Sequence, residues 1–297
     1  MQILRYRLTN GSNRSLRSLG RAKARSLTKV RLQKGMTMPN GMCALCLTAA
    51  DIRRSHAIPD SVFKRVSKEN NGQSIRFDDD DSSLVEYSSD SWWEYQLCSD
   101  CEQHLNVNYE QYSLSTIRGG KGKGKFEKHD FGVTFSEIDT LKLQLFFLSI
   151  FWRAANSRNE AYQKVCIPEP WNNELRLHLL KKSRVPLRFM TVKISRLIDR
   201  GSDNGFSLST LKNFIASPFF RNLPDRKFSF CFLFEGFFIE IFMPGYTLKQ
   251  RAARGVINPL SKIIAVPYLN IFDIPEVLNV LVVGYKKNLE GKVKFAT

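Results

Sequence analysis

Hydrophobic and polar positions change rhythm along this chain. Its densest apolar run is Leu143 to Trp152. Ser136-Glu137-Ile138-Asp139 resembles a capping box, and the pattern behind it predicts a long helix to about Asn156. Its centre, Leu143 to Trp152, carries Gln144 and Ser149 and is flanked by Lys142 and Arg153, so it is too short to span a bilayer and reads as a buried core helix. A second helix is expected from about Glu169 to Lys182, with Pro170 in its first turn. Alternation over residues 187–199 predicts a strand, and Phe228–Phe234 and Phe237–Phe242 around Glu235-Gly236 predict a hairpin. Ile263–Pro267 reads as a short strand, and a last helix is expected over about Ile274 to Asn288. Upstream, Ser91–Leu97 reads as a strand and Glu102–Tyr112 as a helix. The mixture predicts an α+β fold.

Glycine and lysine dominate residues 119–130 (GGKGKGKFEKHD), which read as a linker or exposed loop in which Lys121, Lys123 and Lys125 are either solvated or track phosphates. Placing a boundary there divides the chain into a basic, disordered arm (1–38), a small module (39–118), the linker (119–130) and a larger α+β domain of unknown role (131–297). No internal repeat and no phosphate-cradling glycine loop is present.

Charge adds a partner class. The 297 residues carry 45 Lys and Arg against 28 Asp and Glu, a net of +17. Such a surplus favours a polyanion, nucleic acid before an acidic membrane. Residues 1–50 contain no acid at all. That arm could contact phosphates, serve as a transit peptide, or lie upstream of the true start at Met36, Met38 or Met42. The arm or an upstream start is preferred to a targeting signal. Asp78–Asp81 is the one unbroken acidic run and reads as a solvated loop. No secretory signal or membrane-spanning segment is visible, which points to the cytoplasm.

The cysteines sharpen this picture. Cys43-Ala-Leu-Cys46 and Cys98-Ser-Asp-Cys101 are two C-x-x-C knuckles, the usual means of presenting four thiolates to one structural Zn²⁺. In a reducing compartment this outweighs two disulfides. Cys166 and Cys231 sit in apolar sequence and read as inert core residues. Between the knuckles lies Ser55-His56-Ala57-Ile58-Pro59.

Knuckle, Ser-His-x-x-Pro, strand, knuckle and helix together resemble the HNH (His-Me finger, ββα-metal) nuclease family in its zinc-stapled form. The resemblance covers about residues 42–112. It implies a zinc-clamped β-hairpin and helix, His56 as general base, and a catalytic Mg²⁺ or Mn²⁺ held near the helix start, where Glu102 follows the second knuckle. It implies a metal-dependent endonuclease acting on nucleic acid, DNA favoured. Phe147–Arg153 is similar to a segment of phage-defence proteins in this subgroup, which implies a role in bacterial anti-phage defence, with a companion defence protein as a further partner. The sequence departs from the family where it has Ser55 in place of aspartate and Glu102 in place of histidine. His104 is not expected to share an ion with Glu102, because residues two apart on a helix face different ways. Glu110, about two turns on, reads as structural, as do His129 and His178. Asn70 and Asn71 match the family's orienting asparagine by location only. Trp92 and Trp93 read as core before base-stacking platforms. The alternative is a non-catalytic zinc module that binds nucleic acid or a partner protein.

Overall fold

The computed structural model describes residues 39–69, 74–76, 85–88, 91–120, 124–201, 205–224 and 227–294. The basic arm, the acidic run, Asn70, Asn71, Lys121 and Lys123 lie outside these. The fold is α+β, with a small three-stranded sheet bearing the four-cysteine cluster, followed by a larger sheet domain.

The first part comprises β1 (Asn40–Met42), β2 (Ala49–His56), α1 (Asp60–Glu69), β3 (Ser74–Arg76), β4 (Val85–Ser88), β5 (Trp93–Cys98), α2 (Ser99–Leu105), a π-helical turn (Asn106–Glu110) and α3 (Gln111–Ile117). Strands β1, β2 and β5 form an antiparallel sheet. The helix that begins at the second knuckle therefore continues past Tyr112 to Ile117. Neither β1 nor α1 was expected from the sequence.

The second part comprises β6 (Lys125–His129), β7 (Gly132–Ser136), α4 (Thr140–Ala155), α5 (Trp171–Lys181), β8 (Thr191–Ile198), α6 (Leu208–Leu211), β9 (Ala216–Leu223), β10 (Lys227–Phe234), β11 (Phe237–Met243), β12 (Ile263–Asn270), α7 (Pro275–Leu289) and β13 (Val293–Lys294). Seven strands form one sheet in the order β6-β7-β12-β8-β11-β10-β9, antiparallel except where β12 runs parallel to β8. The glycine and lysine stretch thus holds a strand: β6 pairs with β7, and Phe126 meets Phe135 edge-on at 5.2 Å. β13 pairs with β4 in a third small sheet, so the last strand returns to a segment between the two knuckles.

The expected hairpin is β10–β11, in register from Phe228↔Met243 to Phe234↔Phe237. Its strands are apolar almost throughout rather than alternating because both faces are covered. Phe230, Phe232 and Phe234 belong to the main core with Phe146, Phe147 and Phe151 of α4. Cys231, Leu233 and Phe238 pack on the other face with Leu211, Ile271, Ile274 and Val277. Phe151 lies 4.9 Å from Phe230. Residues Leu143 to Trp152 are buried without exception, as their composition requires. The main core also takes in Cys43, Leu45, Leu97, Cys98 and Cys101, so the cysteine-bearing sheet and the large sheet share one apolar interior.

Two local expectations change. The helix cap is Asp139, whose carboxylate accepts from the Lys142 amide at 3.0 Å; Ser136 instead ends β7 in its pairing with Ile263. The α4 core holds buried polar groups, of which Gln144 is fully paired while Trp152 Nε1 has no hydrogen-bond partner. Gln144, fully buried, donates to the Val185 carbonyl at 2.9 Å and accepts from the Val185 amide at 3.1 Å. No described helix is long and apolar enough to cross a membrane.

Gln144→Ala would strand both backbone groups of Val185 in the core. An unmade buried hydrogen bond costs about 1–3 kcal/mol, so the variant is expected to lose about 2–5 kcal/mol in denaturant unfolding; a loss below about 0.5 kcal/mol would contradict the arrangement.

Candidate functional site

The first knuckle is the tight turn between β1 and β2. The Cys43 amide donates to the Thr48 carbonyl and the Leu47 amide to the Cys43 carbonyl, both at 2.9 Å, with Leu47 in the left-handed region (φ 61°). The second knuckle is a strand-to-helix junction: Cys98 ends β5 and caps α2, and Cys101 lies in the first helical turn. Pairing of Ile52 with Cys98 draws the two turns together. All four Sγ atoms lie within 4.8 Å of one another, and those of Cys46 and Cys98 are 3.9 Å apart. Tetrahedral zinc with Zn–S near 2.3 Å requires sulfurs about 3.8 Å apart. The Cys98 amide donates to the Cys43 sulfur at 3.3 Å, and the α2 N-terminus adds its positive dipole end, both of which stabilise thiolate. Burial opposes ionisation of Cys46, yet hydrogen bonds from Thr48, Cys43 and Cys101 bring its thiol down to about 7. Burial pushes Cys98 and Cys101 up, with Cys43 adding to the effect on both. The donor set is compatible with a structural zinc. Among the described residues no other group of three or more His, Cys, Asp or Glu converges in this way.

His56 ends β2, opposite Trp93 of β5. A register shift between Arg53 and Arg54 turns Ser55 inward. Ser55 is buried, and its hydroxyl accepts from the Leu97 amide at 3.1 Å. His56 Nε2 lies 2.9 Å from the Ser91 hydroxyl and 3.8 Å from the Asp60 carboxylate, which itself pairs with Lys64 at 2.5 Å. The imidazole therefore faces a hydroxyl and a carboxylate, with 18% of its side chain exposed. Asp60 stands four residues after His56, at the start of α1, a helix not expected from the sequence. Ser91 arrives across the sheet from 35 residues away and gave no signal either.

Glu102 sits one residue past the second knuckle. Its Oε1 is buried without a hydrogen-bond partner. Glu110 lies on the same face. In a regular α-helix eight residues leave two side chains roughly 80° apart; one wide π turn absorbs a residue and brings them to within about 20°. Burial raises the Glu110 carboxyl above the usual carboxylate range; Arg153 opposes this and the Glu102 charge adds to it. Arg153, 3% exposed at its side chain, approaches Glu110 at 3.7 Å, and its backbone carbonyl accepts from Gln96 at 3.0 Å. His104 points elsewhere and donates to the Leu179 carbonyl at 3.0 Å.

The other sequence candidates divide. His129 stacks on Phe131 and His178 meets the Ser183 hydroxyl at 2.8 Å. Trp92 packs edge-on against Phe63 and Tyr162, while the Arg54 guanidinium covers Trp93. Cys231 is buried, which pushes its thiol up to about 12. Cys166 is exposed, contrary to the core reading: it falls in the irregular segment between Tyr162 and α5, and its apolar neighbours in sequence do not cover it.

His56 and Glu102 are thus placed by the strand and the helix that carry the cysteine cluster, His56 beside Ser91 and Asp60 and Glu102 with one buried, unpartnered oxygen. Searches against protein families, curated proteins and solved structures find no match to this chain.

Purified protein is expected to carry one zinc per chain by elemental analysis. Cys98→Ser should lower that stoichiometry and the unfolding midpoint together; full stability with no bound metal in the wild type would refute the staple.

Proposed function

We propose that this chain is a metal-dependent endonuclease of the HNH type, hydrolysing phosphodiester bonds in nucleic acid, DNA favoured, in bacterial anti-phage defence in the cytoplasm. The observation that carries the reading is the imidazole of His56, held at the end of a strand stapled to a helix and flanked by Ser91 and Asp60. A neutral imidazole takes a proton from water as the oxygen attacks phosphorus. The Asp60 carboxylate stabilises the imidazolium that forms, and Ser91 fixes the ring plane. Mg²⁺ or Mn²⁺, when bound, supplies charge neutralisation at the departing 3′ oxygen. Glu102 would hold that ion: a carboxylate oxygen buried without a hydrogen-bond partner suits a hard cation. The net charge of +17 supports an anionic polymer as substrate.

One observation favours the second reading, a zinc module that binds nucleic acid or a partner protein, such as a companion defence protein, without cutting. Ser55 replaces the aspartate of the resembled motif, and its hydroxyl is taken by the Leu97 amide.

Positioned general bases contribute about 10²–10⁴ in rate. His56→Ala should reduce divalent-dependent plasmid nicking by about a hundredfold or more while zinc content stays at the wild-type level. Equal nicking by the variant rejects His56 as base. Salt-sensitive DNA binding with no hydrolysis in Mg²⁺ or Mn²⁺ selects the second reading.

A further inference from the structure

The last turn of α3 meets the large sheet at a cluster of charge that the nuclease reading does not use. Its centre is Glu235, at the tip of the β10–β11 hairpin. Glu235 and Gly236 both have positive φ (54° and 70°), the geometry of a tight two-residue turn. Glutamate is disfavoured in the left-handed region, and this carboxylate is also buried, at 3% exposure. It is held by Arg65 of α1 and by Arg118, whose Nη2 lies 2.6 Å away. Arg196 donates to the Glu235 backbone carbonyl at 3.0 Å and lies 4.5 Å over the Phe237 ring.

This single carboxylate does not balance the cations around it. A cavity of about 250 Å³ opens here, reached by Arg118, Lys128, Arg196 and Lys212 and walled by Phe126 and Tyr268. Glu235 is consumed by Arg65 and Arg118, and Arg65 has Glu69 at 3.4 Å. The side-chain ammonium groups of Lys128 and Lys212 have no ion pair or hydrogen bond among the described residues. Burial holds the Lys212 ammonium below the usual lysine range, and the charges of Arg196 and Arg65 depress it further; Glu235 and Glu69 only partly offset this. Unneutralised positive charge beside a cavity is relieved by an anion entering it. The remaining wall is apolar and partly aromatic, so the anion should carry a flat apolar body as well as charge.

We propose that this cavity binds a nucleoside 5′-phosphate, with the phosphate among Lys128, Arg196 and Lys212 and the base against Phe126 or Tyr268. A phosphate monoester near neutral pH carries between one and two negative charges and several acceptor oxygens, which suit forked guanidinium donors. Aromatic faces take any base by stacking. The volume lies just under the usual small-ligand range and excludes a duplex. The phosphate could belong to a free mononucleotide or to the 5′ end of a nucleic-acid strand. None of the lining residues is a knuckle cysteine, His56 or Glu102, so the site stands whether or not the chain cuts DNA.

Isothermal titration calorimetry of the full chain tests it, with AMP, CMP, adenosine, inorganic phosphate and a dinucleotide with or without a 5′ phosphate. At least one mononucleotide should bind saturably at one per chain, tenfold or more tighter than adenosine or inorganic phosphate. Lys212→Gln and Lys128→Gln should each weaken it by about fivefold or more with the melting temperature unchanged, since neither side chain has an ion-pair partner among the described residues. Tighter binding of the 5′-phosphorylated dinucleotide than of the mononucleotide identifies a strand end as the source, and the reverse a free nucleotide. Absence of saturable binding by every phosphorylated probe, or undiminished binding in both variants, overturns the proposal. Inorganic phosphate binding as tightly as AMP and CMP overturns the nucleoside part.

Discussion

Four sulfur atoms from two turns, with Cys46 and Cys98 separated by 52 positions, meet within 4.8 Å. This convergence sets the geometry of the amino-terminal part. One turn belongs to the β1–β2 connection and the other to the β5–α2 junction, so bringing the sulfurs together fixes strand against strand and aims the helix. Closing a loop of that length costs chain entropy that so small a sheet recovers poorly through its own burial. Metal–thiolate bonds would offset this, and the shared apolar core adds to it: Cys43, Cys98 and Cys101 pack in the same interior as Phe147 and Phe232.

Much of this arrangement was legible in the chain because it is written in local pattern. Leu143–Trp152 read as a buried helix, and the phenylalanine-rich strands around Glu235-Gly236 read as a hairpin. The paired knuckles announced their convergence by residue type and spacing. What escaped the sequence depends on contacts made at a distance. Ser91 reaches His56 through β2–β5 pairing, and β6 becomes a strand because β7 offers it an edge and Phe135 a partner for Phe126. Ser136 has the composition of a helix cap, yet pairing with β12 claims it, leaving Asp139 to cap. Cys166 reads as apolar among its neighbours, yet only tertiary packing decides what is covered.

Glu235 is another such case. In sequence it is a turn residue before a glycine and would be expected in water. In the fold it is the point where α1, α3 and the large sheet are tied: Arg65 and Arg118 come from the cysteine-bearing part and Arg196 from β8. Breaking a buried pair by removing one partner costs far more than the pair contributes over apolar packing. A carboxylate in a strained backbone position among several cations therefore specifies how the parts dock more than it stabilises them.

The wide turn at Asn106–Glu110 gives the helix from Ser99 to Ile117 a phase adjustment. Cys101 at one end must face the sulfurs, Tyr109 in the middle donates to the Leu179 carbonyl at 2.6 Å, and Arg118 just past the other end must face Glu235. Uniform α-helical steps of about 100° would satisfy one end and miss the other. A single surplus residue acts as a vernier between two fixed dials. Losing that residue would let the turn close into regular helix with both dials still aligned, whereas closing the turn around it would swing all that follows by about 100°.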